Sequence, residues 1–299
     1  MRKLYVGLDV SKSETAVCVR DETSRVVLAT KAVTDPGAIT QAIKAVDGEV
    51  AQIVMETGRA SNWLYAGLLA QEIPVVWVDA RQAHAVLSQM HNKTDANDAA
   101  MLAELARTGF YRAISVKSMA SQRMRALLRV REVAMKARMN IENTIRGLLA
   151  SFGIPMTKEQ KTFAVRVLTA IENDSVVSDI VRPLVHLRAD ILRGLAALDR
   201  QLRVYVRNDA TCRRLMTTPG IGAISAFAFV ATVDDPARFR RSRSVGAYIG
   251  LTARPHQSGA LDISGRISRR GDTLLRTVLY EAANSLLTRA RAGNGAHLK

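Results

Sequence analysis

Apolar residues in the first third of the chain come in short runs bounded by charged and small polar residues. KLYVGLDVS, ETAVCVRDE and SRVVLATKAV read as three strands in succession. ETAVCV alternates, and SRVVL is rich in β-branched residues. AITQAIKAV then has helical spacing, while AQIVME and IPVVWVDA read as buried strands. SNWLYAGLLAQE, QAHAVLSQM and DANDAAMLAELAR read as helices. Three adjacent strands followed by alternation of strand and helix predict a ribonuclease-H-like α/β domain over residues 1–112. Trp63 and Trp77 lie in apolar segments and are expected in its core. A fold of this kind does not by itself fix a function.

The pattern changes after that. SQRMRALLRVREVAMKARMNIENTIRGLLASFG keeps helical spacing through Met124, Leu127, Leu128, Met135, Met139, Ile145 and Leu148, and Gly153 and Pro155 end it. A shorter helix, KTFAVRVLTAIEN, precedes a second long one, VSDIVRPLVHLRADILRGLAALDRQLRVYV, with Pro183 as its start or a kink. Two long amphipathic helices over 113–210 predict a coiled-coil hairpin, a common oligomerisation device. Residues 211–299 predict a mainly helical domain. RRLMTTPGIGAISAFAFVATV reads as a helix end, a Pro-Gly-Ile-Gly turn and an apolar helix, and SRSVGAYIGL and TLLRTVLYEAANSLLTRAR as further helices. Between these two, TARPHQSGALDISGRISRRGD is rich in Gly, Ser and Arg and reads as a long polar loop.

Charge sharpens this division. The chain of 299 residues carries a formal net charge of +16. Residues 1–115 net −1, residues 116–210 net +8 and residues 211–299 net +9. A neutral α/β domain followed by strongly basic helical parts favours a polyanionic partner, nucleic acid above all. No apolar run approaches the ~20 residues of a membrane span, and the N-terminus lacks the apolar stretch of a signal peptide. The two cysteines, Cys18 and Cys212, form no paired motif, and the histidines are scattered. A cytoplasmic protein without a membrane partner is expected.

Four acidic residues are the main chemical candidates. Asp9 and Glu56 end apolar strands, and Asp95 and Asp98, three apart, share a face at a helix start. Taken singly they read as a turn residue, a surface charge and a helix cap. Together, on these elements, they form a carboxylate set that would repel itself without cations. Hard oxygen donors suit Mg²⁺ or Mn²⁺, and paired ions of that kind serve phosphodiester chemistry. The Gly220–Gly222 turn has the helix–hairpin–helix character that lets backbone N–H groups hold a phosphate; its plain alternative is a helix–helix turn. The run Arg238–Arg243 would contact phosphates; its plain alternative is a solvated face. In the polar loop, Ser258, Ser264 and Ser268 stand among Arg254, His256, Arg266, Arg269 and Arg270. Composition alone favours a disordered DNA-contact loop there over a nucleophile, since no Ser-His-Asp arrangement is evident.

GLDVSK, METG, NKTDANDA, TPGIG, YIGLTARPHQSG, ISRRGD and LLRTVLYEAAN occur in this order. They resemble the DEDD-type transposases of the insertion-sequence one-ten family, relatives of the Piv-type DNA invertases, over nearly the whole chain. The resemblance implies a ribonuclease-H-like catalytic domain at 1–112, a coiled-coil segment at 113–210 and a C-terminal transposase domain at 211–299. It makes Asp9, Glu56, Asp95 and Asp98 the Mg²⁺-binding tetrad. It makes Ser258, in the Q-S-G motif, a nucleophile that attacks DNA and leaves a phosphoserine link, reversing the compositional preference for that loop. It further implies donor and target DNA, a structured guide RNA from the element's noncoding end, and dimers or tetramers in which one subunit's acidic site meets another's serine. Base pairing would then supply sequence choice while the protein grips backbone. Members of that family usually continue past the YEAAN helix, so the resemblance also implies a shortened C-terminus. Two other readings stay open: a metal-dependent junction nuclease that uses water, and an inactive nucleic-acid-binding remnant. A sugar-kinase-like reading of the first strand lacks a second Gly-rich phosphate loop and leaves the basic two thirds unexplained.

Overall fold

The structure is a computed structural model that describes residues 1–58, 61–78, 94–156, 162–258 and 261–291, with the backbone alone for 255–258, 261–263 and 290–291. The helix expected over QAHAVLSQM lies outside the described residues. Two compact units make up the chain, Met1–Val116 and Lys117–Lys299. Among the described residues, no helix is long and apolar enough to cross a membrane.

The first unit is built on five strands: β1 (Lys3–Val10), β2 (Glu14–Asp21), β3 (Val26–Val33), β4 (Glu49–Glu56) and β5 (Val75–Val78). Their order in the sheet is β3-β2-β1-β4-β5, with β1, β2 and β3 antiparallel and β4 and β5 parallel to β1. The period-2 pattern of β1 divides its side chains between two faces. Leu4, Val6 and Leu8 pack with Val17, Val19, Ile53 and Met55 against α1 (Pro36–Lys44) and α2 (Ser61–Leu69). Tyr5 and Gly7 face α3 (Asp95–Thr108) on the other side. Asp35 caps α1 by accepting from Ala38 N at 3.0 Å, and Gly109 ends α3 in the left-handed region at φ 67°. Trp77 is buried as expected, but Trp63 is 53% exposed. Leu64 and Leu68 are the residues of α2 that fill the core, and one position before Leu64 falls off the stripe.

The second unit is mostly helical. Its helices are α4 (Met119–Ser151), α5 (Phe163–Ala170), α6 (Ser175–Asn208), α7 (Ala210–Leu215), α8 (Ala223–Val233), α9 (Arg243–Tyr248) and α10 (Thr273–Arg291). One core joins Ile141, Ile145 and Leu149 of α4 to Phe163 and Val167 of α5 and to Val177, Val181 and Val185 of α6. A second joins Met124, Leu128, Leu202 and Val206 to Ala226, Phe227 and Ala231 of α8 and Leu275 and Val278 of α10. Pro183 neither starts nor ends α6; Asp174 caps that helix by accepting from Val177 N, and Pro183 lies inside it.

The expected polar loop is a two-stranded antiparallel hairpin, β6 (Ala253–Ser258) with β7 (Leu261–Ile267). Its glycines and serines mask an alternation that a strand needs: Leu261, Ile263 and Ile267 are spaced by Asp262, Ser264 and Arg266. The ladder slips between Ala253 and Pro255, where a proline without an N–H interrupts it.

Candidate active site

The acidic residues lie around one end of the first sheet. The last pair of the β1–β4 ladder is Leu8 with Met55, and Asp9 and Glu56 are the next residues on the two strands. Gly7 sets how the helix lies above them. A Cβ there would come within 2.0 Å of Ala99 O and 2.3 Å of Ala103 N, so only glycine lets the α3 backbone rest on β1. One step back along the strand, Tyr5 packs against Leu102, Leu105 and Ala106. Moving from Tyr5 to Gly7 therefore moves one turn toward the N-terminus of α3. A further step of the same size brings Asp9 to the level of the first turn, where Asp95 and Asp98 lie. Thr94, not Asp95, is the cap of this helix: its hydroxyl accepts from Asn97 N at 3.2 Å. The Asp95 carboxylate is left 62% exposed.

A lysine completes the row. Asp9 pairs with Ala16 across β1–β2, and Ala16 pairs with Lys31 across β2–β3. Ala16 packs under Ala99 and Ala103, which fixes this row on the α3 side. From there Lys31 Nζ reaches Asp95 Oδ2 at 3.5 Å. Among the described residues, no three His, Cys, Asp or Glu side chains are gathered into a group that would hold a metal. The donor chemistry nevertheless suits a hard divalent ion, being all carboxylate oxygen on two strand ends and one helix turn. Further along α3, Glu104 fastens the helix to the β2–β3 turn. It accepts from Ser24 Oγ at 2.7 Å and pairs with Arg107. The Arg107 hydrogen bonds, with a smaller contribution from Ser24, hold its carboxyl at about 2.

In the second unit, the backbone of Ser258 ends β6 and pairs with Leu261. The root of this hairpin is locked by two glycines. Gly250 (φ 78°) and Gly271 (φ 88°) let the chain entering and the chain leaving pass so closely that a Cβ would lie 1.9 Å from Arg270 O or 2.3 Å from Tyr248 O. Arg276 of α10 ties the same crossing by donating to Ile249 O at 2.9 Å and Arg270 O at 3.0 Å. Arg254 is exposed but donates to Ser268 O at 2.8 Å, so it braces the hairpin. Arg266, Arg269 and Arg270 are exposed. Gly220 takes φ 81°, and a Cβ there would meet Ala282 O at 2.9 Å; it is a close-approach glycine against α10. Gly222 is the N-cap of α8, with no side-chain cap hydrogen bond and open space in its Cβ direction. Arg238, expected among phosphate contacts, lies over the rings of Phe239 and Tyr248, at 4.5 Å and 4.3 Å from their centres.

Sequence reading missed three of these features. Lys31 carries no local signal, because its partner comes from a distant part of the chain, and the motif around Tyr248 does not disclose the cations over its ring. Gly7 did carry one: a glycine in mid-strand marks close backbone approach.

Residues 6–154 match a transposase family of the IS110 DEDD group, and residues 212–297 match the family described as Transposase IS116/IS110/IS902. The chain is similar to the transposase for insertion sequence element IS1111A of Coxiella burnetii, 30% identical over 287 residues, covering 94% of this chain and 77% of the relative. It is also similar to a probable family 20 transposase of Pseudomonas aeruginosa, 35% identical over 207 residues, covering 66% of this chain and 60% of that protein. A third relative, the transposase for IS1328 of Yersinia enterocolitica, is 29% identical over 207 residues, with 68% and 62% covered. The chain thus spans less than two thirds of the length of the latter two. It belongs to the IS116/IS110/IS902 family of insertion-sequence transposases.

Proposed function

We propose that this chain breaks and rejoins DNA as a transposase, with Asp9, Glu56, Asp95 and Asp98 as a Mg²⁺- or Mn²⁺-dependent tetrad and Ser258 as nucleophile. The observation that carries the reading is the meeting of β1, β4 and the first turn of α3 at one sheet end, in a chain whose two halves both match transposase families. Asp9 and Glu56 are anchored on rigid strands, and Asp95 and Asp98 on a helix that Gly7 holds down. These are the residues that would hold the ions. The bound ions would offset charge on the phosphoryl oxygens and favour loss of the serine proton. Ser258 Oγ would form a bond to phosphorus while the bond from phosphorus to the departing sugar oxygen breaks, and that oxygen leaves to become a hydroxyl. Rejoining is the reverse step with another strand's hydroxyl, so no outside energy source is needed.

The basic surface supports the partner assignment. Residues 117–299 carry the whole positive excess, and the start of α8 at Gly222 with Arg266, Arg269 and Arg270 would contact backbone phosphates. A structured guide RNA would provide sequence choice, and assembly through the long helices α4 and α6 would give a dimer or tetramer.

The test is a denaturing gel of the protein incubated with Mg²⁺, its element's noncoding-end RNA and donor DNA. A protein–DNA adduct is expected in the native chain and absent in Ser258→Ala and Asp9→Ala. Cleavage that persists without adduct in Ser258→Ala overturns the serine mechanism in favour of a water-using nuclease.

A further inference from the structure

Tyr248 belongs to the YIGL motif that leads into the serine hairpin, and the mechanism above gives it no task. It ends α9, where the chain turns through Gly250 toward β6. Two cations flank its ring: Lys117 Nζ lies 5.5 Å from the ring centre and Arg238 Cζ 4.3 Å. Phe239 meets the ring edge-on at 5.4 Å. Arg238 Nε and Nη2 are buried without a hydrogen-bond partner, as expected of a guanidinium covered by two rings. Burial pushes the phenol up, but hydrogen bonding and charge from Lys117, and then from Arg238, outweigh it and hold the group below its ordinary value.

This cluster opens into a pocket of about 360 Å³, lined among others by Lys117, Arg125, Thr232, Tyr248, Asp272 and Thr273. Lys117 donates to Thr232 O and keeps further N–H groups to spare. Arg125 Nη1 pairs with Asp272 Oδ2 at 2.8 Å, and Asp272 Oδ1 accepts from Leu275 N. Asp272 is the carboxylate of the pocket, set against three cations in and behind its wall, so the local balance is two positive charges. A pocket with surplus cations and a phenol hydroxyl suits an oxyanion. The tetrahedral phosphodiester matches it, with two oxygens that can accept from an ammonium and a phenol at once.

We propose that Lys117, Arg125 and Tyr248 form a phosphodiester subsite at the root of the β6–β7 hairpin. Tyr248 donates its hydroxyl to a non-bridging oxygen, and the two cations neutralise the charge. Tyr248 is a positioning residue: it fixes one backbone phosphate relative to the hairpin that carries Ser258. Six residues of strand span roughly 20 Å, so the phosphate held at the root lies within about six B-form backbone steps, at roughly 3.4 Å each, of the hairpin's far end. The inference rests on the nucleic-acid-acting reading given above. The phosphodiester can belong to a DNA strand or to a guide RNA.

The experiment uses the full chain and two labelled probes of arbitrary sequence, a duplex DNA and an RNA hairpin, with affinity measured by anisotropy over a series of KCl concentrations. Lys117→Gln is expected to reduce the slope of log K against log salt by about 0.9 on duplex DNA if that backbone is the ligand. Tyr248→Phe, which keeps the ring and its stacking, is expected to weaken binding about tenfold, as for loss of one hydrogen bond to a charged group. Lys117→Arg is expected to restore the slope. Loss on one probe alone assigns the subsite to that nucleic acid. Tyr248→Phe and Lys117→Gln proteins that bind both probes with the native slope and affinity overturn the subsite, including where their melting temperature has changed, since a packing role moves melting and not the slope. A native chain that binds neither probe overturns the nucleic-acid-acting reading itself.

Discussion

Gly7 connects one missing side chain to the geometry of a whole site. Its neighbours on the α3 side are backbone atoms, Ala99 O and Ala103 N, which have no rotamer by which to give way. Adding one methyl group must lift or slide α3, and with it Asp95 and Asp98, away from the ends of β1 and β4. Gly7→Ala is therefore expected to destabilise the chain by about 1–3 kcal/mol or more, measured from urea midpoints. It should also weaken Mn²⁺ binding in calorimetry by more than the stability loss explains. A variant as stable as the native chain would mean that the helix does not rest on Gly7. Lys31 shows the limit of reading residues from sequence: its tie to Asp95 runs across three strands and a helix. No spacing rule links positions so far apart.

At the scale of elements, the strands and long helices were legible because burial dictates them. β1 is covered on both faces, and α4 and α6 repeat apolar residues at helical spacing. The hairpin β6–β7 was not legible, because its exposed Gly, Ser and Arg positions carry turn signals that outweigh a weak alternation. Nor was the buried charge between α4 and α6. Glu142 and Arg188 have side chains 3% and 8% exposed and bond at 2.7 Å, with Arg138 and Arg146 each 3.9 Å from the same carboxylate. Arg146 and Arg188 also stack on Phe163 of α5, at 5.0 Å and 4.8 Å. One carboxylate thus bridges guanidinium groups from two helices, which ties their register together. Removing its charge leaves those cations buried. Glu142→Gln is expected to cost about 3–5 kcal/mol, whereas the double change Glu142→Leu with Arg188→Met costs much less. Thermal melting of the two variants checks this; equal losses would mean that packing volume, not charge, sets the register.

For the whole molecule, charge and chemistry are divided between units. Met1–Val116 is close to neutral and carries the four carboxylates, while Lys117–Lys299 carries the positive excess and Ser258. Sequence already made this partition visible, since charge sums survive any error in element boundaries. It could not say which copies of the two units work together, because that depends on contacts between surfaces with no fixed spacing. The proposed chemistry needs both units at one phosphate, and a symmetric dimer can supply them from one chain or from two. Mixing distinguishes these arrangements. Asp9→Ala and Ser258→Ala proteins are each expected to form no adduct alone. Suppose a site takes its tetrad from one chain and its serine from the other. Each mixed dimer then holds one site with both native parts and one with neither, and random pairing makes half the dimers mixed. Adduct should return to about a quarter of the native level. If each site is built within one chain, both sites of every mixed dimer are defective and adduct stays absent. The result is read only after each variant is shown to bind DNA with native salt dependence, so that lost binding is not mistaken for lost chemistry.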